Sequence, residues 1–289
     1  MLHQKGNFKT SFMKTKILLA AISFLFALQL QAQQSFKVNV TGKGEPVLLF
    51  PGFGCTGEVW AETVSRLSKI NECHTFTFAG FGNVPAIDTP WLSTIKDDII
   101  KYVKNKKLNK PVLLGHSLGG TLSLWLASLE KDMFKKVIAV DALPATAALM
   151  IPGYDGKKLD YNNPQSKSML QMTDSAFAAM NTQSASYMSL NKYKHQTLIN
   201  WMNMSDRKTY VYGYIDMLNL DLRYNIANIK VPVTILAATF PNKPMAEKTY
   251  ADQYKNLPAT KVLYAENAAH FVMYDQPEWF INNVVKELQ

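Results

Sequence analysis

From Phe36 to the C-terminus, short runs rich in β-branched and aromatic residues alternate with longer stretches of helical spacing, and no other feature of this chain limits its fold so much. The runs Phe36–Val40, Val47–Phe50, Thr75–Phe78, Val112–Leu114, Val137–Val140, Val233–Ala237 and Lys261–Tyr264 read as strands. Several are apolar at every position, as strands buried on both faces must be. Helical patterns run from about Val59 to Lys69, Leu92 to Lys106, Leu118 to Glu130, Met245 to Lys255 and Glu278 to Leu288, and Pro111, Pro232 and Pro277 stand at element starts. This order predicts an α/β fold, a mostly parallel sheet flanked by helices.

The alternation stops between about Leu143 and Asn228, where no buried strand is visible and eight of the thirteen methionines collect. Residues 33–142 and 229–289 are therefore expected to form the α/β core, and 143–228 an inserted helical cap or lid. Methionines such as Met150, Met188, Met202 and Met217 at helical spacing are usually core filler, and a cap over a pocket would use the same residues for its apolar underside.

Residues 1–32 have the layout of a secretory signal: four lysines, an uncharged apolar stretch from Ile17 to Leu30, then Ala32 at a cut that leaves Gln33 first. The apolar stretch is shorter than the ~20 residues a spanning helix needs, so cleavage and export to the periplasm or medium are expected, without stable membrane insertion. Removing those lysines, which no acid accompanies, lowers the net charge from +9 to +5. That balance does not call for a nucleic-acid partner, and Lys104, Lys106 and Lys107 read as a solvated helix end. Cys55 follows one expected strand and Cys73 precedes the next parallel one. Five strand residues at ~3.3 Å each would separate them, beyond the ~7 Å reach of a disulfide, so both are expected as free thiols.

Two glycine motifs compete for the site. Gly52, Gly54 and Gly57 spell the pattern of a dinucleotide cradle directly after an apolar run. Such a cradle needs an acidic residue at the end of the following strand to hold the ribose. Here that strand ends in Ala79-Gly80, and Glu72 lies before it, so the cofactor reading is rejected. The second motif, Gly115-His116-Ser117-Leu118-Gly119, sits between a strand and a helix, with Gly120 following. It matches the G-x-S-x-G elbow, a strained turn that lifts a serine hydroxyl clear of the sheet at a helix N-terminus. A bare serine N-cap between chance glycines is the plainer alternative.

With the elbow in this context the whole of the chain after residue 32 resembles the α/β-hydrolase superfamily. Its members commonly carry His-Gly-aromatic after the third strand and then a tryptophan; here the stretch is Pro51-Gly52-Phe53 followed by Trp60, with proline in place of the histidine. The resemblance implies Ser117 as nucleophile and the backbone N–H groups of Phe53 and Leu118 as an oxyanion hole, each donor worth ~3–4 kcal/mol by comparison with known holes. It implies His270 as base, since His270 lies just past the last strand, whereas His3 belongs to the leader, His74 begins a strand, His116 fills the variable motif position and His195 lies in the insertion. The acid is the departure. No carboxylate follows the strand Val233–Ala237 until Glu247, so Asp141, at the end of the strand before it, is expected to orient His270, with Glu266 and Asn242 as alternatives.

These residues imply a serine hydrolase that cleaves a carboxylic ester, thioester or lactone through an acyl-enzyme on Ser117. The expected partner is a small-molecule substrate with an apolar part. No motif for a cofactor or metal is present. Two rivals share the fold: a non-catalytic ligand-binding protein, encouraged by Pro51 and the missing late aspartate, and a cofactor-free peroxidase.

Overall fold

A computed structural model describes residues 35–289; the leader-like residues 1–32 lie outside them. Seven strands form one sheet in the order β1-β3-β2-β4-β5-β6-β7. They are β1 (Phe36–Thr41), β2 (Glu45–Phe50), β3 (Asn71–Phe78), β4 (Val112–His116), β5 (Lys136–Val140), β6 (Val233–Ala238) and β7 (Lys261–Ala265). Only β1, on the edge, runs antiparallel to its neighbour. The central strands are buried on both faces, with Val47–Phe50, Val137–Val140 and Ile235–Ala237 fully enclosed, which is why their sequences are apolar without alternation. β3 begins at Asn71 rather than Thr75, so His74 and Cys73 lie inside it instead of at its start. Cys55 and Cys73 are both free and buried, and burial pushes their thiols up to about 12 and about 11.

The helices between strands cover the two faces. They are α1 (Ala61–Leu67), preceded by a 3₁₀ turn over Gly57–Trp60, α2 (Trp91–Asn105) and α3 (Leu118–Leu129). In α2 the buried residues Leu92, Ile95, Ile99 and Val103 recur at three- and four-residue spacing, the stripe that lets a helix lie on a sheet. Between β5 and β6 the chain is helical, with α4 (Thr146–Met150), α5 (Pro164–Leu170), α6 (Asp174–Met188), α7 (Lys192–Asn203) and α8 (Arg207–Asn219). The side chains of Asn163, Thr173, Asn191 and Asp206 cap α5 to α8 in turn, each accepting from a backbone N–H in the first turn. The chain closes with α9 (Lys243–Gln253), α10 (Val272–Asp275) and α11 (Pro277–Leu288). Among the described residues no helix is long and apolar enough to cross a membrane.

The strand order turns at β2: β3 lies to one side of it and β4 to the other. The loops leaving the C-terminal ends of β2 and β4 therefore diverge from neighbouring strands, with Phe50 paired to Gly115, and open a crevice between them. Ligands of open α/β sheets bind at such a reversal.

Candidate active site

Ser117 stands at that crevice, between β4 and α3, with φ +52° and ψ −120°. A side chain rarely adopts this conformation, and holding it costs on the order of 1–3 kcal/mol. The flanking glycines make it reachable. A Cβ on Gly115 would lie 2.1 Å from the Gly119 carbonyl oxygen, and one on Gly119 would lie 2.3 Å from that of Phe50. Ser117 N–H donates to Val140 O at 2.9 Å, tying the turn to the end of β5. The Ser117 side chain makes no capping bond to α3, which removes the plain N-cap reading and leaves its hydroxyl on a cavity of about 440 Å³.

His270 lies in the loop between β7 and α10 and lines the same cavity. Its Nδ1–H donates to Asp141 Oδ2 at 2.6 Å. Asp141 follows β5 at φ +44°, and its other oxygen accepts from Ala238 N–H at 2.9 Å and from the Tyr250 hydroxyl at 2.8 Å. Burial alone would raise this carboxyl. The hydrogen bond and charge of His270, with the Ala238 and Tyr250 donors, outweigh burial and hold it below the ordinary aspartate value. Because a carboxylate only accepts, a proton of His270 sits on Nδ1, and in the neutral ring Nε2 is then the acceptor. The alternatives for the acid are engaged elsewhere: Glu266 is exposed and bridges to Lys243 at 3.6 Å, and Asn242 caps α9 through Met245 N–H.

Gly52 and Phe53, after β2, complete this side of the cavity. Among the described residues Phe53 N–H has no hydrogen-bond partner, and Leu118 N–H opens α3, whose first internal bond is taken by Thr121 N–H to Ser117 O. Both expected oxyanion donors are thus unspent. The Phe53 ring is held edge-on by Phe81, Trp91, Tyr210 and Tyr214, at 5.2 to 6.0 Å between centroids, which fixes the loop that carries its N–H.

Two supporting residues escape a sequence reading. Tyr250 sits on α9 four residues before Tyr254, and both hydroxyls reach the Asp141 end of β5. That i, i+4 tyrosine pair was the available signal. His116 is fully buried; its Nε2–H donates to the His270 carbonyl at 2.9 Å, and its ring lies 4.6 Å from that of His270. Burial first, and then the charge of His270, push it down to about 3, so it is neutral. His74 is held between Tyr102 and Glu72, and His195 bonds Ser189 O, so neither belongs to the site. Among the described residues no three His, Cys, Asp or Glu side chains converge as metal ligands would. Met150, Met188, Met202 and Met217 line the cavity; Met202 and Met217 belong at the same time to the buried core, on which Met169, Met172, Met180 and Met188 also pack, so Met188, Met202 and Met217 serve both expected uses at once.

A strained serine elbow and a histidine–aspartate pair at the C-terminal edge of a mostly parallel sheet are the marks of an α/β-hydrolase. Comparison agrees: the sequence profile of the Alpha/beta hydrolase family matches residues 47–283, and the chain belongs to that family. It is 23% identical over 247 residues to a pimeloyl-[acyl-carrier protein] methyl ester esterase of Aliivibrio fischeri, covering 84% of this chain and 93% of the relative. An enzyme of the same name from Aeromonas salmonicida is 24% identical over 264 residues, covering 86% and 98%. Among solved structures it is similar to an esterase from Exiguobacterium antarcticum (TM-score 0.73, 19% identity, 87% and 94% covered) and to an enol-lactonase from Burkholderia xenovorans LB400 (0.71, 16%, 88% and 96%).

Proposed function

We propose that this protein hydrolyses carboxylic esters of small molecules with an apolar part, through an acyl-enzyme on Ser117. The observation that carries the reading is the 2.6 Å bond from His270 to Asp141 on the cavity that Ser117 faces. The ester-cleaving names of its relatives support the bond class.

As Ser117 Oγ bonds to the ester carbonyl carbon, its proton passes to His270 Nε2. The negative charge that gathers on the carbonyl oxygen meets the N–H groups of Phe53 and Leu118. Collapse breaks the bond to the alcohol, which leaves with the proton from His270. Water then attacks the acyl group by the same route and releases the carboxylic acid and free Ser117. Asp141 keeps the imidazole in the tautomer that can accept and offsets its charge. Residues 143–228 serve as the cap over this reaction, and the leader-like residues 1–32 support export to the periplasm or medium.

The test is intact-mass measurement after treatment with a fluorophosphonate, beside Ser117→Ala. One adduct that vanishes in the variant is expected. A folded protein that takes no adduct overturns the reading in favour of a binding protein, and peroxide-dependent halogenation would favour the peroxidase.

A further inference from the structure

The described chain exposes twelve large apolar side chains, and five of them, Leu149, Met150, Tyr187, Phe240 and Met245, line the cavity of Ser117 and His270. Scattered exposed apolar residues need no explanation, but a set that gathers on one cavity does. Each of the five is between 51% and 65% exposed while still facing the cavity, so they form its mouth. They come from three separate segments: the end of α4, the end of α6, and the stretch from β6 into α9. The mouth is therefore an apolar collar rather than one greasy helix face.

The collar has no cation. Among the described residues that line the cavity there is no lysine, arginine or glutamate, and its one aspartate, Asp141, is bound to His270. Lys243, two residues before Met245, is engaged with Glu266 at 3.6 Å, and Lys194 beyond α6 with Glu62 at 2.7 Å. An ionised group on the far end of a substrate would lose water against methionine, leucine and tyrosine and find no partner charge. An uncharged chain lying along the collar would cover apolar surface that water now wets.

Resting on the acyl-enzyme reading, we infer that the substrate is an ester uncharged along its whole length, whose apolar chain runs from Ser117 outward across this collar. The collar is then the distal part of the substrate site. It selects by length and against charge.

The test compares p-nitrophenyl butyrate, octanoate and the mono-p-nitrophenyl ester of suberic acid, whose far carboxylate is ionised at neutral pH. Octanoate is expected to exceed the ionised analogue in kcat/KM by about tenfold or more, the scale set by stranding a charge without a partner, and to exceed butyrate. Leu149→Arg, or Phe240→Arg should the first variant fold poorly, adds a cation to the mouth and is expected to narrow the gap between octanoate and its ionised analogue. Equal kcat/KM for those two in the unaltered protein, with Ser117 still taking the fluorophosphonate, overturns the inference and leaves the acyl-enzyme reading intact. Failure of Ser117 to take the label overturns both.

Discussion

Asp141 receives three hydrogen bonds on two oxygens, and this uneven loading decides what an amide would do in its place. In Asp141→Asn the remaining oxygen is best used against Ala238 N–H and the Tyr250 hydroxyl, so the new NH₂ faces His270 Nδ1. A donor there forces Nδ1 to accept and puts the ring proton on Nε2, where it opposes the Ser117 hydroxyl. The fold should survive, since asparagine tolerates φ +44° better than most residues. Turnover is expected to drop by about 10⁴-fold, as for a known triad aspartate, with the thermal midpoint near that of the parent; near-parental kcat would move the acid elsewhere. The positions of Ser117 and Asp141, each directly after a strand, and of His270, in the loop that follows the last strand, were legible because the sequence context that marks them is local. Tyr250 and His116 were not, because what gives them meaning lies 109 and 154 residues away along the chain.

The loop that carries His270 is held by an element outside the sheet. Asp275, the last residue of α10, accepts from Ala269 N–H at 2.8 Å through one oxygen. Through the other it accepts from the Ser189 hydroxyl at 2.6 Å and from the N–H groups of Leu190 and Asn191. Phe271 N–H donates to Met188 O at 3.0 Å in the same seam, and Met188 lines the cavity. The turn between α6 and α7 and the histidine loop thus share one carboxylate, which makes Asp275 a positioning residue. Asn in its place must turn an NH₂ group towards backbone donors on one side or the other. Asp275→Asn is expected to lower kcat about 10- to 100-fold, the penalty for small misplacement of a reacting group, together with the rate at which Ser117 takes the fluorophosphonate. A fall in thermal stability with kcat unchanged below the transition would reduce Asp275 to a purely structural role. None of this seam was legible, and α10 itself, with four residues, is too short to show a period. The helices of the insertion were visible only as a class. In α8 the buried residues include Tyr210, Val211, Ile215, Met217 and Leu218, so the helix is covered on several sides and lacks the single stripe that marks α2.

Across the whole molecule the site draws on the C-terminal ends of β2, β4, β5, β6 and β7, so these five adjacent strands have to be paired before the site exists. The same enclosure that assembles it buries groups that resist protonation, and this makes the fold acid-sensitive in a definable range. His116 is held at about 3 against an ordinary 6.5, first by burial and then by His270, and His74 is also lowered, first by burial. Between those two values the unfolded chain takes up a proton at His116 that the folded chain refuses. Stability therefore falls as pH drops through that window and stops falling on this account below about 3. Asp141 acts in the same direction at the acid end: its folded value is depressed, so its contribution is present above the unfolded value and lost as pH falls through the folded one. The thermal midpoint, followed from about pH 7 to about pH 4, is expected to decline. The decline should be shallower in His116→Gln, which keeps a donor for the His270 carbonyl but has no proton to take up. The variant's lost packing lowers its midpoint at every pH and does not alter the slope, so a curve parallel to the parent's would mean that His116 is not the buried neutral group on which the histidine loop rests.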